Sequence, residues 1–201
     1  MVDHTIRVRP WTRPEYDRLI ETGFFHEDEN VELIGGQLML AEPQGSRHAA
    51  TISLVADALR AAFGSGWYVM VQLPVALDDE SEPEPDVAVV RGTAREHADT
   101  HPARPVLVVE VAQSSVALDR HPKASLYARA GVPEYWIVDI VDDVLEVYRR
   151  PVPSPDAVYG SSYADVQRFP RGATVFPLAA SATPVVVTLL IALAGVSPTG
   201  S

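Results

Sequence analysis

Two acidic residues stand at or inside apolar runs where a carboxylate is costly. In PVLVVEVA, from Pro105 to Ala112, Glu110 sits within a near-continuous Val/Leu run. Such a run reads as a strand buried on both faces. In EPEPDVAVV, Asp86 closes an acidic stretch and opens a second apolar run. A carboxylate in these surroundings is strongly disfavoured unless it is paired or binds a cation. Two of them on neighbouring strands suggest a site for a hard divalent ion. Lys123 follows on a helix. An ion held by two acids, with a lysine beside it, is suited to hydrolysis of a phosphodiester: the ion polarises the phosphate and acidifies water, and the ammonium holds the scissile group. The plainer alternatives are that Asp86 caps a strand end, Glu110 pairs with an arginine, and Lys123 snorkels at a helix start.

The surrounding elements can be placed. Thr12 and Glu15 form a capping box with Pro14 in the first turn, and Gly23 ends that helix. Trp11 and Tyr16 staple across the cap, and Tyr16, Leu19 and Ile20 form its buried stripe. VELIGGQLML is a hairpin about Gly35-Gly36, with Val31, Leu33, Leu38 and Leu40 on one face and Glu32 on the other. Ser46 caps a second helix running to about Phe63, whose stripe is Ile52, Val55, Ala56, Leu59 and Phe63. Trp67 to Leu77 and Asp86 to Val90 are strands, separated by a polar loop from Asp78 to Pro85. Arg91 to Arg104 is a loop or short irregular helix, and Pro105 to Ala112 is the central strand. The next helix starts near Asp119, has Pro122 in its first turn and ends at Gly131. Lys123, Leu126, Tyr127 and Ala130 share one face of it, so the lysine points toward the sheet. EYWIVDI and VLEVYRR form a hairpin about Asp142-Asp143. A Pro-rich loop, the strand SYADVQRF and one more short strand follow. This order gives a mixed sheet with helices packed on it.

Three residues are weaker candidates. Glu32 faces away from the apolar side of its hairpin and is a further ligand or a solvated surface acid. His48 lies at the start of the second helix, on its apolar stripe. Gln72 precedes the acidic loop and could hydrogen-bond an ion's water, or simply face solvent. Other templates fail: there is no glycine-rich phosphate loop, no Gly-x-Ser-x-Gly elbow and no HExxH pair.

Composition sets bounds. A chain of 201 residues fits one domain with a real core. It has no cysteine, which removes disulfides, thiolate zinc sites and cysteine nucleophiles and suits a reducing cytosol. The opening MVDHTIRVRPW has no apolar core of a signal peptide. The longest apolar stretch, Pro184 to Val196, is shorter than the about 20 residues a membrane span needs. The net charge of −11 argues against tight, sequence-independent binding to nucleic acid by a monomer, although much of the acid is local to DDESEPEPD, Asp78 to Asp86.

EPEPDVAVVRG, PVLVVEVAQSS and DRHPKASLYARAGVPEYWIVD together resemble the Uma-two family of restriction-endonuclease-like proteins. VELIGGQL followed by a histidine-containing helix resembles that family's N-terminal half. The likeness runs from about Trp11 to Ala180 and extends to the PD-(D/E)XK nuclease superfamily. It implies an α/β restriction-endonuclease-like fold, with a mixed central sheet flanked by helices, as a single domain over 1–201. The core would span about 11–180, with a C-terminal tail after about 181. It implies Asp86 as the acid of the PD motif, Glu110 as the second acid and Glu32 as the acidic position before the core, with the Val111 carbonyl as an added ligand. Asp119, Lys123 and Tyr127 belong to the same spaced motif. The lysine expected two residues after the second acid is replaced by Ala112, so Lys123 would have to reach back from the helix.

The resulting expectation is an endonuclease using Mg²⁺ or Mn²⁺, with Asp86, Glu110 and Lys123 catalytic, Asp86, Glu110 and Glu32 on the metal, and His48, Gln72, Val111, Asp119 and Tyr127 in support. DNA would be the substrate, a homodimer the simplest way to cut both strands, and the cytoplasm the location, with no membrane partner. The competing expectations are a catalytically inactive nucleic-acid or protein-binding module of the same fold, and a partner-binding protein whose acidic loop docks a basic partner.

Overall fold

The computed structural model describes residues 8–26, 29–41 and 44–192. The residues up to Arg7, read above for a leader, and the end of the apolar run beyond Ala192 lie outside them. Helix α1 (Arg13–Glu21) opens with the expected capping box: the Thr12 N–H and hydroxyl both donate to Glu15 Oε2, at 3.0 and 2.9 Å. Tyr16 is buried and donates its hydroxyl to the Val31 carbonyl at 2.5 Å. Ile20, expected on the same stripe, is 51% exposed, because α1 packs on its neighbours through its Tyr16 side alone.

Strands β1 (Val31–Ile34) and β2 (Gln37–Leu40) form the expected hairpin, with positive φ at both Gly35 and Gly36. That conformation suits glycine, and a Cβ at Gly36 would collide with Pro10. The Gly36 N–H donates to the Glu80 carbonyl at 2.7 Å, and the Glu82 N–H to the Leu33 carbonyl at 2.8 Å, so the hairpin is tied to the acidic loop. The register puts Leu33 opposite Leu38 and Glu32 opposite Met39.

Helix α2 (Ser46–Phe63) is capped by Gly45, not Ser46: Gly45 is extended and Ser46 is already helical. Its predicted stripe is buried.

The central sheet runs β3 (Trp67–Val71), β4 (Val87–Arg91), β5 (Leu107–Ala112), β6 (Glu134–Asp139), β7 (Val144–Pro153), β8 (Ser161–Pro170) in that spatial order. β5 and β6 are parallel and every other pair is antiparallel. Val87, Val89, Leu107, Val109, Val111 and Trp136 form the larger core with the α2 stripe. Ala88, Val90, Val108, Ala112, Tyr135 and Ile137 form a second core on the opposite face. Both faces are covered, which is why the central strands read as unbroken apolar runs. Each fully buried valine or leucine there contributes about 1.5–3 kcal/mol.

Three sequence expectations are corrected. β3 stops at Val71 instead of reaching Leu77, because Gln72 adopts a left-handed φ of +48° that ends the pleat. The parallel step from β5 to β6 is bridged by helix that begins at Val116, not Asp119. It comprises α3 (Val116–Leu118), a π-turn over Asp119–Lys123 and α4 (Ala124–Arg129). Pro122 is therefore interior. It has no N–H to give the Leu118 carbonyl, and the helix widens around it, with the Ala124 N–H reaching the Asp119 carbonyl. Past β8 there are two short strands instead of one, β9 (Thr174–Val175) pairing with β10 (Val185–Val186), and then α5 (Val187–Leu190). Val185, Val187, Leu190 and Ile191 are buried in the larger core, so packing continues beyond the boundary read near Ala180. Among the described residues no helix is long and apolar enough to cross a membrane.

Candidate active site

Side chains alternate along a strand, so Glu110 shares a face with Val108 and Ala112. By the same parity Asp86, at the mouth of β4, shares a face with Ala88 and Val90. All four apolar residues belong to the core beneath α4, so the two acids face the same side of the sheet. They line one cavity of about 510 Å³, together with Glu32 from β1, His48 from α2, and Asp119 and Lys123 from the π-turn. Glu32 gets there because the hairpin pleat turns it away from Leu33 and Val31, as its sequence position predicts.

The π-turn brings Lys123 down onto the acids. Lys123 Nζ donates to Glu110 Oε1 at 3.0 Å and lies 3.9 Å from Glu32 Oε2. Tyr127, one helical turn on, is fully buried and donates its hydroxyl to the same Glu110 Oε1 at 2.8 Å. Both donors use one oxygen of Glu110. Asp86 Oδ2 accepts the Val111 N–H at 2.7 Å and lies 3.5 Å from His48 Nε2. His48 Nε2 is also 2.6 Å from the Val111 carbonyl. A carbonyl only accepts, so that nitrogen carries the hydrogen, and one lone pair of the carbonyl remains. Asp119 accepts the Ser115 hydroxyl at 2.6 Å and gives its own carbonyl to the Tyr135 hydroxyl at 3.2 Å. Gln72 stands at the rim, exposed. Its backbone N–H donates to the Asp86 carbonyl at 3.1 Å, which closes the ladder where β3 and β4 part. Ala112 is fully buried beside Glu110, so the place where the superfamily pattern expects a lysine is filled by core packing.

The electrostatics are unbalanced. Burial raises Asp86 well above the ordinary aspartate range, and Glu110 adds to the shift against the Val111 N–H and Lys123. Burial and Glu110 push Asp119 up to about 7. Burial likewise raises Glu32, against the opposing charge of Lys123. Burial disfavours charged Lys123, yet Glu110, Glu32 and Asp119 together outweigh it and hold the amine firmly protonated. Burial lowers His48, which favours the neutral imidazole. Four carboxylates thus surround one ammonium.

These donors suit a hard divalent cation. Glu32 Oε2 is buried without a hydrogen-bond partner. The same cavity is lined by Asp86, Glu110 and Val111, whose carboxylates and backbone carbonyl are oxygen donors of the kind Mg²⁺ and Mn²⁺ prefer. Among the described residues no group of three or more His, Asp or Glu side chains is placed to hold a metal ion by itself. Mg²⁺ requires only one or two protein carboxylates and keeps its waters.

Three contributors escaped the sequence reading. Gln44 Nε2 approaches Asp86 Oδ1 at 3.4 Å from a loop with no periodic signal. Glu84 lines the cavity and is itself raised by burial. Ser115 caps Asp119 from four residues upstream, a spacing visible in the chain once the helix is known to start at Val116.

A family model described as "Uma2: Putative restriction endonuclease" matches residues 13–179. Among solved structures, the chain is similar to one described as a "putative nuclease belonging to DUF820 from Anabaena variabilis ATCC 29413". The two are 20% identical over 90% of this chain and 97% of that one, with a TM-score of 0.67. At that identity the likeness establishes the fold. No curated protein matches.

Proposed function

Because the chain belongs to the Uma2 restriction-endonuclease family, we propose that it is a divalent-metal-dependent endonuclease that hydrolyses DNA phosphodiester bonds. We place it in the cytoplasm, working as a homodimer. The observation that carries this reading is the buried surplus of carboxylate over ammonium on one face of the sheet. Asp86 and Glu110 would hold Mg²⁺ or Mn²⁺, with Glu32 Oε2 and the free lone pair of the Val111 carbonyl as further oxygens. When bound, the ion supplies Lewis acidity at the phosphate and lowers the pKa of a water.

The protein's own groups do the rest. Lys123 is held protonated at the cavity floor, where it can neutralise charge that builds on the phosphate oxygens in the transition state. Tyr127 and Lys123 both bind Glu110 Oε1, which fixes the carboxylate's rotamer and leaves Oε2 for the ion. His48 steadies the Val111 carbonyl, and Ser115 fixes Asp119 within the π-turn. In the reaction, water adds across one P–O ester bond: the hydroxyl goes to phosphorus and the proton to the departing oxygen.

The test is cleavage of supercoiled plasmid with Mn²⁺ by wild type and by Glu110→Gln. Wild type should nick or linearise the plasmid, and the variant should fall below about one-hundredth of that rate. Saturable Mn²⁺ uptake by wild type without any cutting would instead favour the non-catalytic binding module.

A further inference from the structure

The mouth of the cavity differs in chemistry from its floor. Four carboxamides line it and stand exposed: Asn30, Gln44, Gln72 and Gln113. Beside them runs an apolar wall, Met39 and Leu40 from β2 facing Ala117 and Leu118 from α3, with Leu40 65% exposed. Among the described residues that line the cavity, Lys123 is the sole lysine or arginine, and Glu110 and Glu32 engage it.

A DNA duplex is gripped along its phosphates by lysine and arginine, since each neutralised phosphate releases counterions. This mouth offers none. Carboxamides suit base edges instead, because each carries a donor and an acceptor. Apolar side chains suit base faces, which a duplex hides within its stack. The reacting groups are also recessed, with Asp86, Glu110 and Lys123 only 7%, 4% and 8% exposed. A duplex is stiff over the width of such a recess, so a strand enters it most readily where it is unpaired, as in the locally opened segments of a supercoiled plasmid. A single strand bends, exposes its bases and has the weaker salt dependence per phosphate contact. It therefore loses less on meeting a protein of net charge −11. A volume of about 510 Å³ lies within the roughly 300–1,000 Å³ of ligand clefts, which is room for a nucleotide and not for a double helix.

We infer that the cavity admits an unpaired nucleotide and that the substrate is unpaired nucleic acid: a single strand, or the opened segment of a supercoiled duplex. The base lies against the Met39–Leu40 wall with its edge toward the carboxamides, and its phosphate reaches Lys123 and the acids. This rests on the nuclease reading for the chemistry at the floor. The base contacts at the mouth stand apart from turnover and can be measured apart from it.

The experiment uses one short labelled DNA strand of mixed sequence, alone and annealed to its complement. Binding is read by fluorescence anisotropy with Ca²⁺ present, and cutting is read on gels with Mn²⁺. The single strand should bind at least about tenfold more tightly than the duplex and be cut faster. Leu40→Ala and Gln113→Ala change exposed residues, so folding is not at stake. Each should weaken single-strand binding by about threefold to tenfold and leave Mn²⁺ uptake unchanged. Equal or tighter duplex binding would overturn the inference, as would unchanged single-strand affinity in both variants. Duplex cutting with the single strand ignored would sink the inference and leave the nuclease reading in place. Single-strand binding without cutting of either form would uphold the inference and sink the nuclease reading.

Discussion

The same sheet buries two groups of carboxylates, and they are managed in opposite ways. Around β6 and β7, Glu134, Asp139 and Glu146 meet Arg149, Arg120 and Arg168. Glu134 is fully buried and accepts from Arg149, from the Trp136 indole at 3.0 Å and from the Leu178 N–H at 2.7 Å. Glu146 takes a bidentate grip from Arg120 and the Tyr148 hydroxyl at 2.8 Å. Three acids face three arginines. Around β4 and β5, four acids share one lysine, one buried oxygen has no hydrogen-bond partner, and Asp86, Asp119 and Glu32 are all raised. A balanced network needs nothing added. An unbalanced one has negative charge to spare, the electrostatic character of a functional cleft.

The comparison can be broken at the balanced end first. Glu134→Gln removes a fully buried charge from its partly buried partner Arg149 and should cost about 3 kcal/mol of stability or somewhat more, up to about 5. For a chain of this length that is a fall in melting temperature of roughly 6–20 °C. The loss should be the same with and without Mn²⁺, since this group lies outside the cavity. A Mn²⁺-dependent loss would dissolve the distinction between the two regions.

At the unbalanced end, Lys123→Ala should slow cleavage by about 10²–10³-fold, the scale of losing one charge-stabilising donor. Mn²⁺ affinity should hold, because the ammonium is not a ligand. Lys123→Arg should recover only part of the rate, as a planar guanidinium cannot occupy the same point. Wild-type turnover by Lys123→Ala, measured on plasmid, would remove the lysine from the site's chemistry.

A smaller effect is expected in pH dependence. Asp119 has a folded-state pKa raised from 3.8 to about 7. Between those values the folded protein holds a proton that the unfolded chain has lost. The part of the metal-free stability that depends on Asp119, read as the difference between wild type and Asp119→Asn, should therefore fall as pH rises from about 4 to about 7, then level off. Mn²⁺ should flatten that slope by offsetting the negative charge. Melting curves of both proteins across this range, with and without Mn²⁺, check it; a metal-free difference that rises over the window would contradict the sign.

The comparison also shows what the sequence could carry. An acid inside an apolar strand is not by itself distinctive, since Glu134, Asp139 and Glu146 stand in apolar strands as Glu110 does. Only partners separate them. Arg149 lies opposite Glu134 in the β6–β7 register, which the hairpin makes legible. Arg120 reaches Glu146 from a distant helix, which nothing local reveals. Helical spacing to Leu126 and Tyr127 puts Lys123 on the inward face, and that spacing holds through α4 although the helix begins at Val116 rather than Asp119. Pro122 hides the earlier start: proline is favoured in a first turn, and a π-turn that absorbs an interior proline leaves no periodic mark. The strands themselves follow from hydrophobic runs and turns, whereas their order in the sheet and the docking of β9, β10 and α5 depend on contacts far apart in the chain.

The account turns on whether Asp86 is there for an ion or for the fold. The direct measurement is Mn²⁺ titration by calorimetry of wild type and Asp86→Asn, with each protein's melting temperature taken free of metal. Wild type should bind Mn²⁺ saturably. Asp86→Asn should lose that binding yet melt no lower than wild type, since removing one charge relieves repulsion from Glu110. A variant that melts well below wild type, with Mn²⁺ uptake intact, would make Asp86 a structural acid like Glu134 and contradict the account.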